Sequence, residues 1–332
     1  MAYAAFRSVG AYIPPKIMTN QDFEKIIDTS DEWITKRTGI KQRRLSEENE
    51  ASSDLGARAA QVAIDRAGIA KEDIDLVICA TVTPDYLCMP STACLIASKL
   101  DLPPVMAYDI SAACTGFVYA LSVAKAFIES GMKKNVLIIG AETYSSILDY
   151  TDRTTCFIFG DGAGAAIISA TEDKNEAIID VSCSSDGNYD DLIKTPGGGS
   201  KHPCSQEVLD NKMACIKMKG NETFKLAVKT LTSDVKKMLE KHNLTSNDIN
   251  HFIPHQANYR IIKSVGDSLG LDEEQIVVTV DKYGNTSAAS IPMAMNYAYE
   301  QGKIKKGETV LFDAFGAGLT WGSALFRFSP IN

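Results

Sequence analysis

Apolar positions along this chain fall into two alternating kinds of segment. Short continuous runs bounded by turn residues read as buried strands. Three are clear: 75–82 (Asp-Leu-Val-Ile-Cys-Ala-Thr-Val), 105–110 (Val-Met-Ala-Tyr-Asp-Ile) and 136–140 (Val-Leu-Ile-Ile-Gly). Between the last two, residues 115–130 form a longer segment that is apolar on almost every face. The pattern predicts a helix there, and a helix of that kind belongs in the middle of a large protein. Gly131 ends it. Strands alternating with helices throughout define an α/β chain.

The C-terminal third runs through the same order. Asp248-Ile-Asn-His-Phe-Ile-Pro254 echoes Asp73-Ile-Asp-Leu-Val-Ile-Cys79, 276–280 (Ile-Val-Val-Thr-Val) reads as a strand, 286–301 reads as a helix stopped by Gly302, and Val310-Leu-Phe-Asp313 follows as a strand. Gly131 and Gly302 are 171 residues apart, and the same offset carries Cys114 onto Asn285. The spacing therefore predicts a duplicated unit with Cys114 and Asn285 at equivalent strand-to-helix turns. Residues 186–213, rich in Gly, Pro, Ser and Lys, read as a loop or hairpin inserted between the halves. We divide the chain into residues 1–180, carrying Cys114, and 181–332, carrying His255 and Asn285.

Composition narrows the function. The chain has 332 residues, 45% hydrophobic and 23% charged, enough for two domain-sized units with a large core. A net charge of −8 argues against a general nucleic-acid binder. The uncharged apolar stretch 110–124 is too short to span a bilayer, and the N-terminal residues lack a basic segment followed by an apolar run. No membrane association and a cytoplasmic location are expected. Eight cysteines are scattered without CxxC pairs or histidine-spaced clusters, which suits a reducing compartment and predicts neither a metal site nor a disulfide framework.

Four segments are candidates for chemistry. In Ser111-Ala-Ala-Cys114-Thr-Gly, small residues lead into a cysteine at the start of the long apolar helix. Unpaired N–H groups and the helix dipole there favour a thiolate, but a packed core cysteine fits the spacing equally well. His255, in Pro254-His-Gln-Ala-Asn258, follows a strand directly, where active-site side chains gather in parallel sheets. A hydrogen-bonded core histidine fits too. Of the other histidines, His202 and His242 read as solvated, and His251 opens the strand. Gly284-Asn285-Thr-Ser-Ala-Ala-Ser290 reads as a capped turn, and Ala314-Phe-Gly-Ala-Gly318 as a tight connection between strands. Phe159-Gly-Asp-Gly-Ala-Gly164 has the glycines of a dinucleotide loop, yet it leads into a strand-like run and not into the helix N-terminus that binds a pyrophosphate. No nicotinamide cofactor is expected.

Together these segments resemble the β-ketoacyl-acyl carrier protein synthase III family. The likeness runs nearly end to end, through Thr29-Ser-Asp-Glu-Trp33-Ile, Arg37-Thr-Gly-Ile, Ala112-Ala-Cys114, Phe159-Gly-Asp-Gly-Ala-Gly-Ala, His255-Gln-Ala-Asn258, Gly284-Asn-Thr-Ser-Ala-Ala-Ser and Thr320-Trp-Gly-Ser-Ala-Leu. It implies a thiolase-like α/β fold of two five-stranded halves stacked in layers, a homodimer, and no metal or cofactor. It implies a catalytic trio of Cys114, His255 and Asn285 that condenses an acyl-CoA primer, acetyl-CoA in the first instance, with malonyl-acyl carrier protein. Backbone N–H groups of Cys114 and Ala317 would hold an oxyanion, although the family usually has glycine where this chain has Ala317. Trp33 would stack on the adenine of coenzyme A, with Arg37 and Arg153 beside it, and Gly220, Phe224 and Asn258 would line the pantetheine tunnel. Lys225, Gln256, Arg260 and Lys263 are candidates for docking the acidic carrier protein; the run Lys36-Arg37-Lys41-Arg43-Arg44 could help, but most of it reads as a solvated charged face. Met89 stands where the family often has Phe and would border the partner subunit's acyl pocket.

The same fold offers rivals. A thiolase needs a second catalytic cysteine and an elongating condensing enzyme a second histidine, and Asn285 holds the expected position instead. A hydroxymethylglutaryl-CoA synthase needs an upstream glutamate, which Glu142 and Asp85 match poorly. A related ketosynthase that takes a longer or branched primer in secondary metabolism differs in substrate only. A catalytically idle binding protein would fail to become acylated.

Overall fold

The computed structural model describes residues 2–331. Its first sheet contains β1 (Tyr3–Tyr12), β2 (Leu76–Ala80), β3 (Met106–Ile110), β4 (Asn135–Thr143) and β5 (Asp161–Thr171), in the order β1-β5-β4-β2-β3. β2 runs parallel to β3 and β4, while β5 is antiparallel to both β4 and β1. The second sheet contains β6 (Ile178–Ser185), β7 (His251–Pro254), β8 (Thr309–Gly316) and β9 (Thr320–Arg327), in the order β7-β8-β9-β6. Here β7 is parallel to β8, and β9 is antiparallel to β8 and β6. The second sheet thus repeats the order and sense of β2, β4, β5 and β1.

The strands predicted at 75–82, 105–110, 136–140 and 310–313 all form. The fifth strand predicted at 276–280 does not. Ile276 makes one parallel bridge to Phe252, the place β3 holds in the first sheet, and the Val277 N–H donates to the Phe252 carbonyl at 2.9 Å. The Gln256 side-chain oxygen then accepts from the N–H groups of Thr279 and Val280, at 2.7 and 3.1 Å. That pulls the chain away from the sheet and into the short helix Val280–Tyr283. β-Branched residues supplied the strand signal, and a buried amide overrode it.

Both faces of both sheets are covered. Helices Gly116–Glu129 and Ser290–Glu300 lie between the sheets, where Phe117, Leu121, Ile291 and Met295 pack against Ile78, Ile138, Phe312 and Phe326. The outer face of the first sheet carries Ser52–Ala67 and Thr92–Lys99, and that of the second carries Gly220–Lys241 and Tyr259–Leu269. The result is five layers, α/β/α/β/α. The central position of 116–129 explains its apolar faces. The division placed between residues 180 and 181 falls inside β6, which pairs wholly with the second sheet. The chain changes sheet between Thr171 and Ile178, and the strand signal alone did not say which sheet β6 would join.

The two central helices begin and end alike. Each follows a single 3₁₀ turn whose first residue has a left-handed backbone, Ala113 at φ 46° and Ser287 at φ 50°. Each is followed by a left-handed glycine, Gly131 or Gly302. The first helix has 14 residues and the second 11. The offset of 171 read from the stops therefore grows by these three residues at the starts. Cys114 and Asn285 do sit at corresponding turns, but the residue in the backbone position of Cys114 is Ala288. Among the described residues, no helix is long and apolar enough to cross a membrane.

Candidate active site

One cavity of about 900 Å³ reaches from the surface to the ends of the strands where the two sheets meet. Cys114, His255 and Asn285 line its buried end, at 8%, 6% and 6% exposure. Cys114 and His255 each arrive from the carboxyl end of a strand, as expected for a sheet whose parallel strands point those ends at the site, whereas Asn285 arrives from the turn between the short helix Val280–Tyr283 and the 3₁₀ turn Ser287–Ala289.

Cys114 lies in the 3₁₀ turn 113–115 that opens the nucleophile helix. Gly316, at the end of β8, lies so close that a Cβ there would come within 2.8 Å of the Cys114 nitrogen. Thr320 ties this region together through its hydroxyl, which donates to the Ala112 carbonyl at 3.0 Å and contacts the Ala317 carbonyl at 3.1 Å. Ala317 lines the cavity beside Cys114. Sequence favours a depressed thiol at this helix start, but burial outweighs that pull and pushes the Cys114 thiol up to about 12. The resting group is a thiol.

His255 follows β7, and its N–H donates to the Asp313 carbonyl at 2.7 Å. Burial alone drives its imidazolium form out, pushing the pKa down to about 3, so the ring is neutral at any physiological pH. Its Nδ1 lies 2.6 Å from Ser290 Oγ. That oxygen already accepts from the Gln256 N–H at 3.3 Å, so its own proton is available for Nδ1. The ring proton then sits on Nε2. Asn285 is fixed in the same sense: its Oδ1 accepts from the Ser287 N–H at 2.8 Å, leaving the amide NH₂ as the donor group. The site therefore offers a buried thiol and two neutral side-chain donors.

The Phe159–Gly164 segment takes no part in a nucleotide loop, because it runs straight into β5. Its work is to hold Asn285. The Asn285 N–H donates to the Ile158 carbonyl at 2.9 Å, and the Gly160 N–H donates to the Asn285 carbonyl at 3.0 Å. Asp161, next in the segment, accepts from the backbone and hydroxyl groups of Ser46 and Ser145.

Towards the surface the cavity turns cationic. The half-buried Trp33 carries the Arg37 guanidinium 4.9 Å and the Arg153 guanidinium 5.8 Å from its ring centre, and both arginines line the opening. Gly220, Phe224, Lys225, Asn258 and Arg260 line the same cavity, with the Arg260 guanidinium 5.2 Å over Phe224. Asn258 caps helix Tyr259–Leu269 through its Oδ1 and donates from Nδ2 to the Arg37 carbonyl at 3.1 Å.

Several sequence expectations are corrected here. Gln256 cannot dock a partner: it is 1% exposed, and its amide holds Pro254, Val277, Thr279 and Val280 together. Arg43, within the basic run 36–44, is fully buried over Phe23 with its guanidinium on Asn20 Oδ1, so it belongs to the scaffold. His242 pairs with Asp180 at 2.7 Å and is not simply solvated. Lys263 is exposed but lies 3.4 and 3.7 Å from Asp267 and Glu273. Met89 is 79% exposed and lies outside its own chain's cavity.

Sequence reasoning missed the apolar walls, Tyr144, Phe159, Ile193, Ile216, Met218 and Phe315. Two of these, Ile193 and Met218, come from the pairing of Ile193–Lys194 with Lys217–Met218, one inside and one just past the segment read only as an insertion. It also missed Ser290, whose place at the end of the Asn285 motif was the available signal. Among the described residues, no group of three metal-binding side chains could hold a metal ion.

Two like sheets with a cysteine, a histidine and an asparagine converging where they meet define a condensing enzyme of the thiolase fold. The families described as 3-oxoacyl-[acyl-carrier-protein] synthase III C terminal and 3-oxoacyl-[acyl-carrier-protein] synthase III match residues 239–328 and 108–187. The chain is 84% identical to the β-ketoacyl-[acyl-carrier-protein] synthase III of Aliarcobacter butzleri over all of both chains, and 65% identical to that of Sulfurovum over 98% of this chain and 96% of the other. It therefore belongs to the β-ketoacyl-[acyl-carrier-protein] synthase III family, condensing acyltransferases that initiate fatty acid synthesis. The crystal structure of the Aquifex aeolicus 3-oxoacyl-[acyl-carrier-protein] synthase III superposes with a TM-score of 0.89 at 44% identity, covering 98% of this chain and 99% of that one.

Proposed function

We propose that the chain joins an acyl-CoA primer to malonyl-acyl carrier protein by a decarboxylative Claisen condensation, through an acyl thioester on Cys114. The observation that carries this is the gradient along one cavity, from a cationic aromatic mouth to a buried thiol flanked by two neutral donors. Coenzyme A has an aromatic base and phosphates at one end and a thioester at the other. Trp33, Arg37 and Arg153 suit the first, and the walls between suit pantetheine, with Gly220, Phe224 and Asn258 beside it.

In the first half-reaction the Cys114 sulfur attacks the thioester carbonyl, and the coenzyme A thiolate leaves. The backbone N–H groups of Cys114 and Ala317 are the donors we assign to the tetrahedral oxyanion. A methyl at 317 leaves backbone donation intact and narrows the space beside it. In the second half-reaction the malonyl thioester loses carbon dioxide, and negative charge develops on its carbonyl oxygen. The Nε2–H of His255 and the amide of Asn285 meet that charge. Neutral donors fit this task, because a permanent cation would also bind the malonyl carboxylate and hold back its loss. The enolate carbon attacks the acyl group, and Cys114 is released.

The acidic carrier protein would dock at the cavity mouth on Lys225 and Arg260, with Lys263 a weaker contact because of its own carboxylate neighbours. Met89, exposed on its own subunit, fits a homodimer in which it borders the partner's acyl pocket. The same reading places the enzyme in the cytoplasm and needs no cofactor beyond the acyl-CoA substrate. A secondary-metabolic ketosynthase with a longer or branched primer is not favoured, given the end-to-end likeness to fatty-acid enzymes. Intact-protein mass spectrometry after incubation with acetyl-CoA and with longer acyl-CoAs tests this. One acyl adduct mapping to Cys114 is expected, discharged by malonyl-acyl carrier protein. No adduct from any acyl-CoA would defeat the reading.

A further inference from the structure

The mouth of the cavity has two walls from different parts of the chain. Arg153 and Thr154 stand on one, and Ile193, Ile216 and Met218 on the other. The second wall belongs to the segment 190–218, whose paired ends Ile193–Lys194 and Lys217–Met218 join neither main sheet. Ile193 and Ile216 share an apolar cluster with Ile147, Leu148 and Phe159, and the Ile216 N–H donates to the Ile147 carbonyl at 2.9 Å. Apolar packing is non-directional, so it seats the segment without fixing where along the wall its side chains stand.

The polar anchors converge on one residue. Lys212 Nζ donates to Asp149 Oδ1 at 2.9 Å, and Lys217 Nζ lies 3.7 Å from Asp149 Oδ2. Lys212 also donates to the Thr151 hydroxyl. Apart from Lys219 on Asp191 at the base, these are the side-chain hydrogen bonds and ion pairs that join 190–218 to the rest of the described residues. Lys212 reaches Asp149 from a left-handed backbone, at φ 51°, which a lysine adopts at a cost.

The same carboxylate shapes the other wall. Asp149 Oδ1 accepts from the Thr151 N–H at 3.0 Å and the Thr151 hydroxyl at 2.7 Å, and the Asp149 carbonyl accepts from the Asp152 N–H at 2.9 Å. The Asp152 carboxylate accepts from the Thr154 N–H at 2.9 Å and the Thr155 hydroxyl at 2.8 Å. Arg153 is held within this clasped turn, its guanidinium over Trp33. Asp149 itself is nearly buried and does not line the cavity.

We propose that Asp149 is a positioning residue for coenzyme A, clamping the 190–218 segment and the Arg153 turn at one spacing so that both walls meet the ligand together. The inference rests on the mouth as the coenzyme A site. Lys212 and Lys217 repel each other unless a carboxylate stands between them, so removing its charge opens the clamp. Both lysines are partly exposed, which screens the repulsion and spares the fold. The loss falls on binding, because only the fraction of molecules with the walls correctly spaced accepts the ligand. Cys114, His255 and Asn285 lie at the other end of the cavity and keep their geometry.

The test compares wild type with Asp149→Asn by calorimetric titration of coenzyme A, steady-state kinetics with acetyl-CoA, and limited trypsin digestion of the ligand-free protein. Kd and KM should rise about tenfold while kcat stays within about twofold. Cleavage within 190–218, where Lys201 is exposed, should quicken about tenfold. Iodoacetamide should alkylate Cys114 at the wild-type rate, since so small a reagent needs neither wall. Adding Lys212→Met to Asp149→Asn should make the losses no worse, because the two residues form one contact. Coenzyme A affinity within about twofold of wild type in Asp149→Asn would overturn the clamp. So would a fall in kcat or in alkylation as large as the rise in KM, or losses that multiply in the double variant. If Asp149→Asn does not fold, Lys212→Met decides by the same split between Kd and kcat. A wild-type protein that binds no coenzyme A would remove the proposed function and leave the clamp to be judged by cleavage alone: faster in Asp149→Asn supports it, unchanged overturns it.

Discussion

The turns at 112–116 and 284–290 share one backbone and serve opposite ends of a reaction. Each has a strained non-glycine residue, a 3₁₀ turn and an apolar helix buried between the sheets. The first turn presents a nucleophile from within its 3₁₀ segment. The second presents its amide two residues before the strained Ser287, where the side-chain oxygen can bend back to the Ser287 N–H. A difference of less than one helical turn therefore decides whether the junction gives electrons or receives them. The backbone fixes where a group can stand, and the side chain fixes what it does there.

Substitutions can break that comparison. The largest effect is expected from Cys114→Ser, which keeps the turn and removes the nucleophile. Acyl transfer should fall more than about 1,000-fold while the thermal unfolding midpoint stays within a few degrees. Normal condensation by this variant would refute the assignment. Asn285→Ala should slow condensation about 100-fold or more while acylation of Cys114 falls much less, read as separate half-reactions. Equal loss in both would show that the two turns do not divide the work. Gly316→Ala puts a methyl 2.8 Å from the Cys114 nitrogen and 3.2 Å from that of Thr115. Moving the nucleophile by a fraction of an ångström should cost about tenfold in acylation, measured by rapid quench. The smallest effect concerns the mouth. Raising salt from about 50 to about 300 mM should raise KM for the carrier protein several-fold and that for acetyl-CoA by less than about twofold, because Lys225 and Arg260 act there as exposed, screened charges.

Much of this was legible in the sequence where local chemistry and packing agree. The 116–129 helix, the left-handed stops at Gly131 and Gly302, and the β7 and β8 strands follow directly from apolar patterning. The three residues at the buried end of the cavity were legible as positions, because each closes a strand or opens a helix. Their roles came from the family resemblance. What stayed hidden depends on contacts between distant segments. The strand expected at 276–280 was lost to an amide twenty residues away, and that same burial removed Gln256 from the surface. Arg43 reads as one charge among several, and only the fold reveals Phe23 and Asn20 around it. The depressed thiol expected at a helix start was reversed for the same reason. Dipoles can be read from order along the chain, whereas desolvation depends on what closes over the site.

The backbone bridge between Asn285 and the Ile158–Gly160 segment joins the two halves at the point of chemistry. Sulfur and amide belong to different sheets, and neither sheet alone sets the distance between them. The active site is thus a joint, and its catalytic rate gauges how tightly the joint is seated. A substitution at the seam, far too mild to melt either sheet, would register first as lost turnover.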